Sequence, residues 1–386
     1  MPTIDLGSVV GPRGEQGNTG PQGPQGVAGP SLISTTTQTT LTGVLAGDGS
    51  VVGVRAVDAS PTANSTNLAQ SGGVKAAIDN AYQRTCNQNL LDNWYFVGGG
   101  TSGNFPINQR GYLNYDVAGY TIDRWYRYNS GNITFSIDYV IMQSPAGANA
   151  FFRQILPEST SKALAGKTVT FSIYCALRSS PCQIAIKSAD TVNASGSSYI
   201  EQIGSSATIA SGITSLTVTL PSTLPHNCLI VEIYCGAGTH GINLYAAKLE
   251  VGNTQTLCRN DGTSDNPEWT LNEIPNYQQE LAKCQRYFWN ALPASGTYLM
   301  FNGLATSTSL VSGLIPTPVP MRSATPTISA TINWFRGNGG SITTYTAPTT
   351  GSIIAGGVHT EIACSGVAAS YPYYALFTQF QVSCEL

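Results

Sequence analysis

The chain has 386 residues, a formal net charge of −3 and only 10% charged side chains, against roughly 25% in ordinary soluble domains. Gly, Ser, Thr, Asn and Gln fill the gap, giving a polar but uncharged surface that suits β-rich extracellular proteins and neutral glycan partners. No basic stripe exists to neutralise nucleic-acid phosphates. No run of about 18 apolar residues exists to insert in a membrane.

MPTIDLGSVVGP, at the start, lacks the charged n-region and apolar h-region of a secretory signal. Residues 1–10 read as an attachment segment or a frayed tail. From Gly11 the chain reads GPR-GEQ-GNT-GPQ-GPQ-GVA-GPS through residue 31. Gly11, Gly14, Gly17, Gly20, Gly23, Gly26 and Gly29 hold strict phase, with proline at several X positions. Only glycine fits at the crowded axis of a collagen triple helix, so this phase predicts one, and with it a parallel homotrimer. The rod would be on the order of 65 Å long and marginal alone, since no proline takes a Y position.

Residues 32–70 are a Thr/Val/Gly-rich segment that predicts short strands in a β-rich linker. In 71–86, Val74, Ile78 and Ala81 recur at helical spacing, and Ser71 is placed to cap. Twelve or so residues make a marginal isolated helix, so three copies packed as a trimeric stem are the expectation. From 87 to 257 short β-branched and aromatic segments alternate with turns, which predicts a jelly-roll β-sandwich. Phe171, Ile173 and Cys175 share one strand face, as do Val231, Ile233 and Cys235. Residues 258–290 read as a loop followed by a linker helix over 276–289. Residues 291–386 predict a second, C-terminal β-sandwich, the tip if the N-terminus is the anchor. The fold class is thus mainly β: triple helix, helical stem and two β-sandwiches in a parallel homotrimer.

Nine cysteines show no CxxC and no Cys/His spacing for zinc. Most read as buried thiols, with Cys175 and Cys235 as possible neighbours across similar strands. Sugar binding needs flat apolar rings against pyranose C–H faces, with amides and carboxylates for the hydroxyls. The stretch 93–128 is the densest in aromatics, and its candidates are Arg110, Tyr112, Tyr115, Asp116 and Tyr120. Trp94 and Trp125 read better as core, and Asp123–Arg124 reads alternatively as a structural ion pair. The C-terminal candidates are Trp334, Arg336, Asn338, Tyr345, Tyr371 and Tyr373. No GxSxG motif or converging catalytic set is visible, so an enzyme is not expected.

MPTIDLGSVVGPRGEQGNTGPQGPQG resembles the start of collagen-containing tail fibre proteins of phages and prophages. SGGVKAAI and the LLDNWYF, PINQRGY and YTIDRW strings resemble the carbohydrate-binding-module-like jelly roll of phage receptor-binding proteins. LYAAKLEVGNTQT, NYQQELAKCQRYF and VPMRSATPTI are similar to that module's end and the domain that follows it. The resemblance implies a trimeric virion protein at the distal tail fibre, held by other tail or baseplate proteins through its N-terminus. Its mechanism would be multivalent attachment to a bacterial cell-surface glycan. A metal in such modules suggests calcium held by Asn89, Asp92 and Glu250. The rival readings are a structural spacer or decoration protein and a glycan depolymerase tailspike.

Overall fold

The computed structural model describes residues 13–24, 44–47, 52–55, 57–59, 68–69, 71, 73–74, 78 and 87–386. Within the last range, 102, 112–113, 116–117, 130, 191–199, 264, 293–296, 338–339, 355 and 386 are excepted. The chain divides into two compact units, residues 1–78 and 79–386.

In the first unit, β1 (Val44–Gly47) and β2 (Val52–Arg55) form an antiparallel hairpin. The two-residue strands β3 (Val57–Asp58) and β4 (Leu68–Ala69) run parallel. Residues 13–24 form neither helix nor strand and are exposed throughout. A Cβ added at Gly14, Gly17, Gly20 or Gly23 meets nothing within 4 Å in the single chain. Gly11, Gly26, Gly29 and Ala81 lie outside the described residues. Val74 and Ile78 are helical and exposed.

The second unit opens with thirteen strands and one helix. These are β5 (Asn114–Tyr115), β6 (Gly119–Tyr120), β7 (Tyr126–Asn129), β8 (Asn132–Phe135), β9 (Val140–Gln143), β10 (Ala150–Ile155), α1 (Glu158–Leu164), β11 (Thr168–Ser179), β12 (Cys182–Ala189), β13 (Ile200–Gln202), β14 (Ala207–Thr208), β15 (Gly212–Thr219), β16 (Cys228–Cys235) and β17 (Gly241–Val251). They build two antiparallel sheets. The seven-stranded sheet runs β13-β12-β16-β10-β7-β6, with β14 added beside β12. The six-stranded sheet runs β15-β11-β17-β9-β8-β5. Phe171, Ile173 and Cys175 from one sheet and Val231, Ile233 and Cys235 from the other fill the space between, as their alternation requires. Trp94 and Trp125 are core, and Trp125 stacks on Phe152 at 4.8 Å.

Asn89–Phe96, one of the aromatic segments of 87–257 read as strands, instead bends, and pairs through one bridge, Tyr95 to Ala246. Asn93 causes this. It takes φ +52°, a left-handed conformation that asparagine tolerates. Its side-chain amide donates to the carbonyls of Ile107 and Asp123 and accepts from Ile107 N–H. Helix α1 was not expected. Its signals are Glu158 in the first turn and Lys162 in the last, which pair at 2.5 Å. Cys175 and Cys235 share one core, and Cys175 is near enough to act on the Cys235 thiol, but no bond joins them. Cys235 faces Cys182 in register, with the sulfurs 3.0 Å apart, while Cys175 points to the Ala210 carbonyl. All described cysteines are free thiols.

A hairpin of β18 (Cys258–Asn260) and β19 (Trp269–Leu271) leads to α2 (Tyr277–Gln285). Asn276 caps α2 by accepting from Gln279 N–H. The helix is shorter than its apolar spacing suggested. After Gln285 the chain extends into β20 (Phe288–Asn290), so Phe288 lies in a strand. The remaining strands are β21 (Leu299–Ser307), β22 (Leu310–Pro316), β23 (Thr327–Gly337), β24 (Gly340–Ser341), β25 (Tyr345–Thr346), β26 (Gly351–Ile354), β27 (Gly357–Cys364) and β28 (Pro372–Ser383).

Here the expectation of a second sandwich is corrected. The nine strands, β20 to β28, form one sheet in the order β24-β23-β28-β21-β22-β27-β25, with β20 and β26 on its flanks. It curls into a half-barrel. Ile328 N–H donates to the Thr349 carbonyl at 2.9 Å, and Thr327 bridges Thr350, which draws the two ends together. Long strands with one apolar face then enclose their own core of Phe301, Phe335, Phe377, Phe380 and their neighbours. Gly313 must lack a side chain, because a Cβ there would lie 2.5 Å from the Phe301 ring.

The stacked pair Trp125–Phe152 gives a direct test. Phe152→Ala leaves a cavity between the sheets and should cost about 3–5 kcal/mol. Urea unfolding monitored by tryptophan fluorescence measures it; a loss below about 1 kcal/mol would contradict this packing.

Candidate functional site

The two faces of the jelly roll that point away from its core differ. On the six-stranded sheet the β18–β19 hairpin covers part of the outer face. Trp269 packs there against Gly212, and Lys248, fully buried, pairs with Glu273 at 3.3 Å. Half-buried Tyr139, Tyr174 and Tyr245 pack together elsewhere on that face, with Tyr174 and Tyr245 4.9 Å apart and Tyr139 and Tyr245 6.0 Å apart. Glu250 accepts from both Thr256 N–H and Thr256 Oγ1.

On the seven-stranded sheet, register places Tyr128, Phe151, Tyr234 and Gln183 in one transverse row over β7, β10, β16 and β12. Their inward neighbours, such as Phe152 and Ile233, sit in the core, so this row points outward. The Tyr128 and Phe151 rings are 5.8 Å apart, and Phe151 and Tyr234 are 5.1 Å apart. All four side chains are half-buried. Strands about 4.8 Å apart make the three rings a platform about 10 Å long, the span of two pyranose rings.

A charged network lies beside it. Arg153 sits 4.8 Å from the Tyr128 ring centre and 4.9 Å from that of Phe151. Glu232 takes Arg153 Nε on one oxygen and Lys187 Nζ on the other, both at 2.6 Å. Glu232 and Arg153 are almost completely buried. The network therefore fixes Arg153 under the two rings and leaves neither Glu232 oxygen without a cation. Ser206 Oγ donates to Gln183 Oε1 at 3.0 Å, which orients that amide at the end of the row.

Most of these residues were missed in the sequence. Phe151, Tyr234 and Gln183 sit on separate strands far apart along the chain. The available signal was alternation: each is the outward neighbour of a core residue.

The other end of β10 carries a second arrangement, which joins the jelly roll to the half-barrel. Glu385 bridges Arg110 at 2.9 Å and Arg124 at 3.3 Å. Arg124 also meets Asp92 at 3.2 Å, donates to the Ile155 carbonyl at 2.8 Å and lies 3.5 Å from the Tyr287 ring centre. Burial disfavours its charge, but Glu385 and Asp92 outweigh that and hold it above its ordinary value. Arg110 covers the Phe288 ring at 3.8 Å. Gln109 Nε2 donates to Asp123 Oδ2 and to the Phe288 carbonyl, and Asn290 Nδ2 donates to the Gln109 carbonyl.

The sequence candidates distribute as follows. Arg110 is an interdomain cation, and Tyr120 packs edge-on to Tyr126 at 5.2 Å, also half-buried. Asp123 and Arg124 do not pair with each other; Asp123 faces Arg110 at 4.0 Å and Arg124 holds Asp92 and Glu385. Tyr112, Asp116 and Asn338 lie outside the described residues, and Tyr115 lies in β5. Trp334 and Arg336 share the outer face of the half-barrel, with the guanidinium 5.4 Å from the Trp334 ring centre. Tyr374 pairs with Arg336 in register and is exposed. Tyr371 is exposed, and Tyr345 is half-buried against Phe335. Tyr373, expected in an aromatic loop, is corrected: it lies in β28, 1% exposed, against Phe335, its hydroxyl accepting from Ala368 N–H. Strand alternation turns it inward. A separate groove of about 560 Å³ lies beside the half-barrel strands, lined by Thr346, Thr350, His359 and Glu361 among others.

The calcium candidates are individually engaged. Asn89 accepts from Leu91 and Leu249 N–H, Asp92 holds Arg124, and Glu250 holds Thr256. Among the described residues no group of three or more His, Cys, Asp or Glu could hold a metal ion.

No family model and no curated protein matches this chain. Among solved structures the likenesses are distant. The enzymatically active domain of bacteriophage CBA120 tailspike protein 4 is 13% identical, with a TM-score of 0.26 over 42% of this chain and 21% of that one. The xylan-binding domain of carbohydrate-binding module family 22 is 16% identical, with a TM-score of 0.25 over 36% of this chain and 99% of its own. The tandem family 22 modules of Paenibacillus barcinonensis Xyn10C are 10% identical, with a TM-score of 0.28 over 78% of this chain and 98% of theirs. None is close enough to assign a ligand.

Asp123 supplies a test of the domain junction. Burial pushes its carboxyl up to about 7, and the Arg110 charge and Gln109 hydrogen bonds only partly oppose this. The unfolded chain, with an ordinary value near 3.8, releases this proton first. Stability from this group is therefore full below about pH 4, falls as pH rises towards about 7, and is level above that. Asp123→Asn should flatten that slope. Urea midpoints for both proteins between about pH 4 and about pH 8 check it; parallel slopes would contradict it.

Proposed function

We propose that the chain is a homotrimeric phage tail fibre protein that attaches to a bacterial surface by binding glycan on the outer face of its jelly roll. The observation that carries this reading is the Tyr128–Phe151–Tyr234 row. It is flat and aromatic, and Gln183, which can bond a hydroxyl, closes it. The opposite jelly-roll face is covered in part, where the hairpin packs against Gly212 and Lys248.

The Gly-X-Y repeat supports the trimer, because its phase has a physical use only at a three-chain axis. The apolar stripe of Val74 and Ile78, exposed in the single chain, supports packing of the following helix between copies. Three weak sites at fixed spacing then raise avidity without new contacts. The N-terminus is the end proposed to join other tail or baseplate proteins. Binding is favoured over cleavage at the row because its one carboxylate, Glu232, is held on both oxygens by cations. Glycoside hydrolysis needs two carboxyl groups flanking the bond. Trp334, Arg336 and Tyr374 on the half-barrel are the rival surface.

Phe151→Ala and Tyr234→Ala should each weaken neutral oligosaccharide binding by about tenfold or more, or 1.4 kcal/mol, with the fold intact. Trp334→Ala should leave it unchanged. Glycan-array screening followed by calorimetry on the full chain measures this, and loss in Trp334→Ala alone would move the site to the half-barrel. Sedimentation equilibrium should return three times the 40.6 kDa chain mass; a monomer at micromolar concentration would overturn the trimer.

A further inference from the structure

Where the jelly roll meets α2 and the half-barrel there is a cleft of about 420 Å³, within the size range of small-ligand sites. Three of the chain's 18 lysines and arginines line it: Lys283, Arg286 and Arg322. In a chain of net charge −3 that concentration is local, not a general basic surface. The backbone enforces it. Arg322 N–H donates to the Arg286 carbonyl at 2.8 Å, which holds the end of α2 beside the segment before β23.

The charges in the cleft are not balanced from within. Asp92, the one acidic residue in the wall, is engaged by Arg124 at 3.2 Å. Lys283 pairs with Glu280 at 2.5 Å. Arg322 reaches the Cys384 carbonyl at 3.4 Å and lies 5.7 Å from the Tyr287 ring centre. Arg286 is exposed, and its side chain makes no hydrogen bond or ion pair among the described residues. Two guanidinium forks thus face a recess without an anion for either among the described residues. Ser159 and Thr160 on the jelly-roll side add hydroxyls that can bond sugar hydroxyls.

We infer that this cleft is a second ligand site that takes an anionic saccharide, one bearing a phosphate or a carboxylate. Guanidinium groups match the planar oxygen pairs of both, and the hydroxyl-bearing wall suits the sugar. The sugar half of this assignment rests on the glycan-binding reading above; the anionic half rests on the cations alone. The two sites would divide the work: the aromatic row takes neutral rings, and the cleft takes a charged substituent.

The test titrates the full chain at low salt with glucose 1-phosphate, glucuronate and glucose, for the wild type, Arg286→Gln, Arg322→Gln and Phe151→Ala. At least one of the two acids should bind about tenfold or more tighter than glucose, and which one tells phosphate from carboxylate. Arg286→Gln should abolish that preference, and added salt should weaken it. Because the Arg286 side chain has no partner among the described residues, its replacement should leave the melting curve unchanged, so a loss reads as binding. Arg322→Gln should weaken it too, and Phe151→Ala should not. Equal affinity for glucose and both acids, or an acid affinity untouched by Arg286→Gln, overturns the inference. Loss of neutral oligosaccharide binding in Phe151→Ala beside an intact acid site separates the two proposals. An acid site without any neutral binding would overturn the aromatic row alone.

Discussion

The Glu385 carboxylate is the contact on which the arrangement of the second unit depends. It joins Arg110 and Arg124, two cations on loops of the jelly roll, to the segment just after the last strand of the half-barrel. Arg124 is fully enclosed, with Asp92, the Ile155 carbonyl and the Tyr287 ring around it. Removing buried charges from water costs about as much as their attraction returns, so such a cluster is weak evidence of stability. Its effect is on specificity. Breaking it by removing one partner leaves an uncompensated charge, a loss of about 3–5 kcal/mol, so the two β modules tolerate one docking and resist others.

That docking decides which surfaces remain for ligands. It covers the Ile155 end of β10 and leaves the Phe151 end free, about 13 Å along the strand. It also brings α2 and Arg322 against Asp92 and α1, which creates the cationic cleft. The aromatic row and the cleft are therefore consequences of one junction. The hairpin over the six-stranded sheet closes part of the other face.

The sequence made the main architecture legible where alternation was strong. Phe171, Ile173 and Cys175, and Val231, Ile233 and Cys235, announced two facing sheets. Trp94 and Trp125 as core followed from size and setting. What it hid was long-range. One alternating sheet can meet a second sheet or curl upon itself, and local pattern does not distinguish them; the C-terminal region curls. The junction was hidden for the same reason, since Arg110 and Glu385 are 275 positions apart. Arg110 looked like a ligand-binding residue because only the fold supplies its partner. The glycan row was hidden because no two of its rings are close in sequence, whereas the dense aromatics of 93–128 drew attention to residues such as Tyr120 that pack against their neighbours.

The position of bound sugar decides between the jelly-roll row and the half-barrel surface. A crystal structure of the full chain with a neutral oligosaccharide selected by array measures it directly. The predicted result is pyranose rings laid across Tyr128, Phe151 and Tyr234, with a hydroxyl on Gln183. Sugar bound against Trp334 and Tyr374, with the jelly-roll row bare, would contradict it.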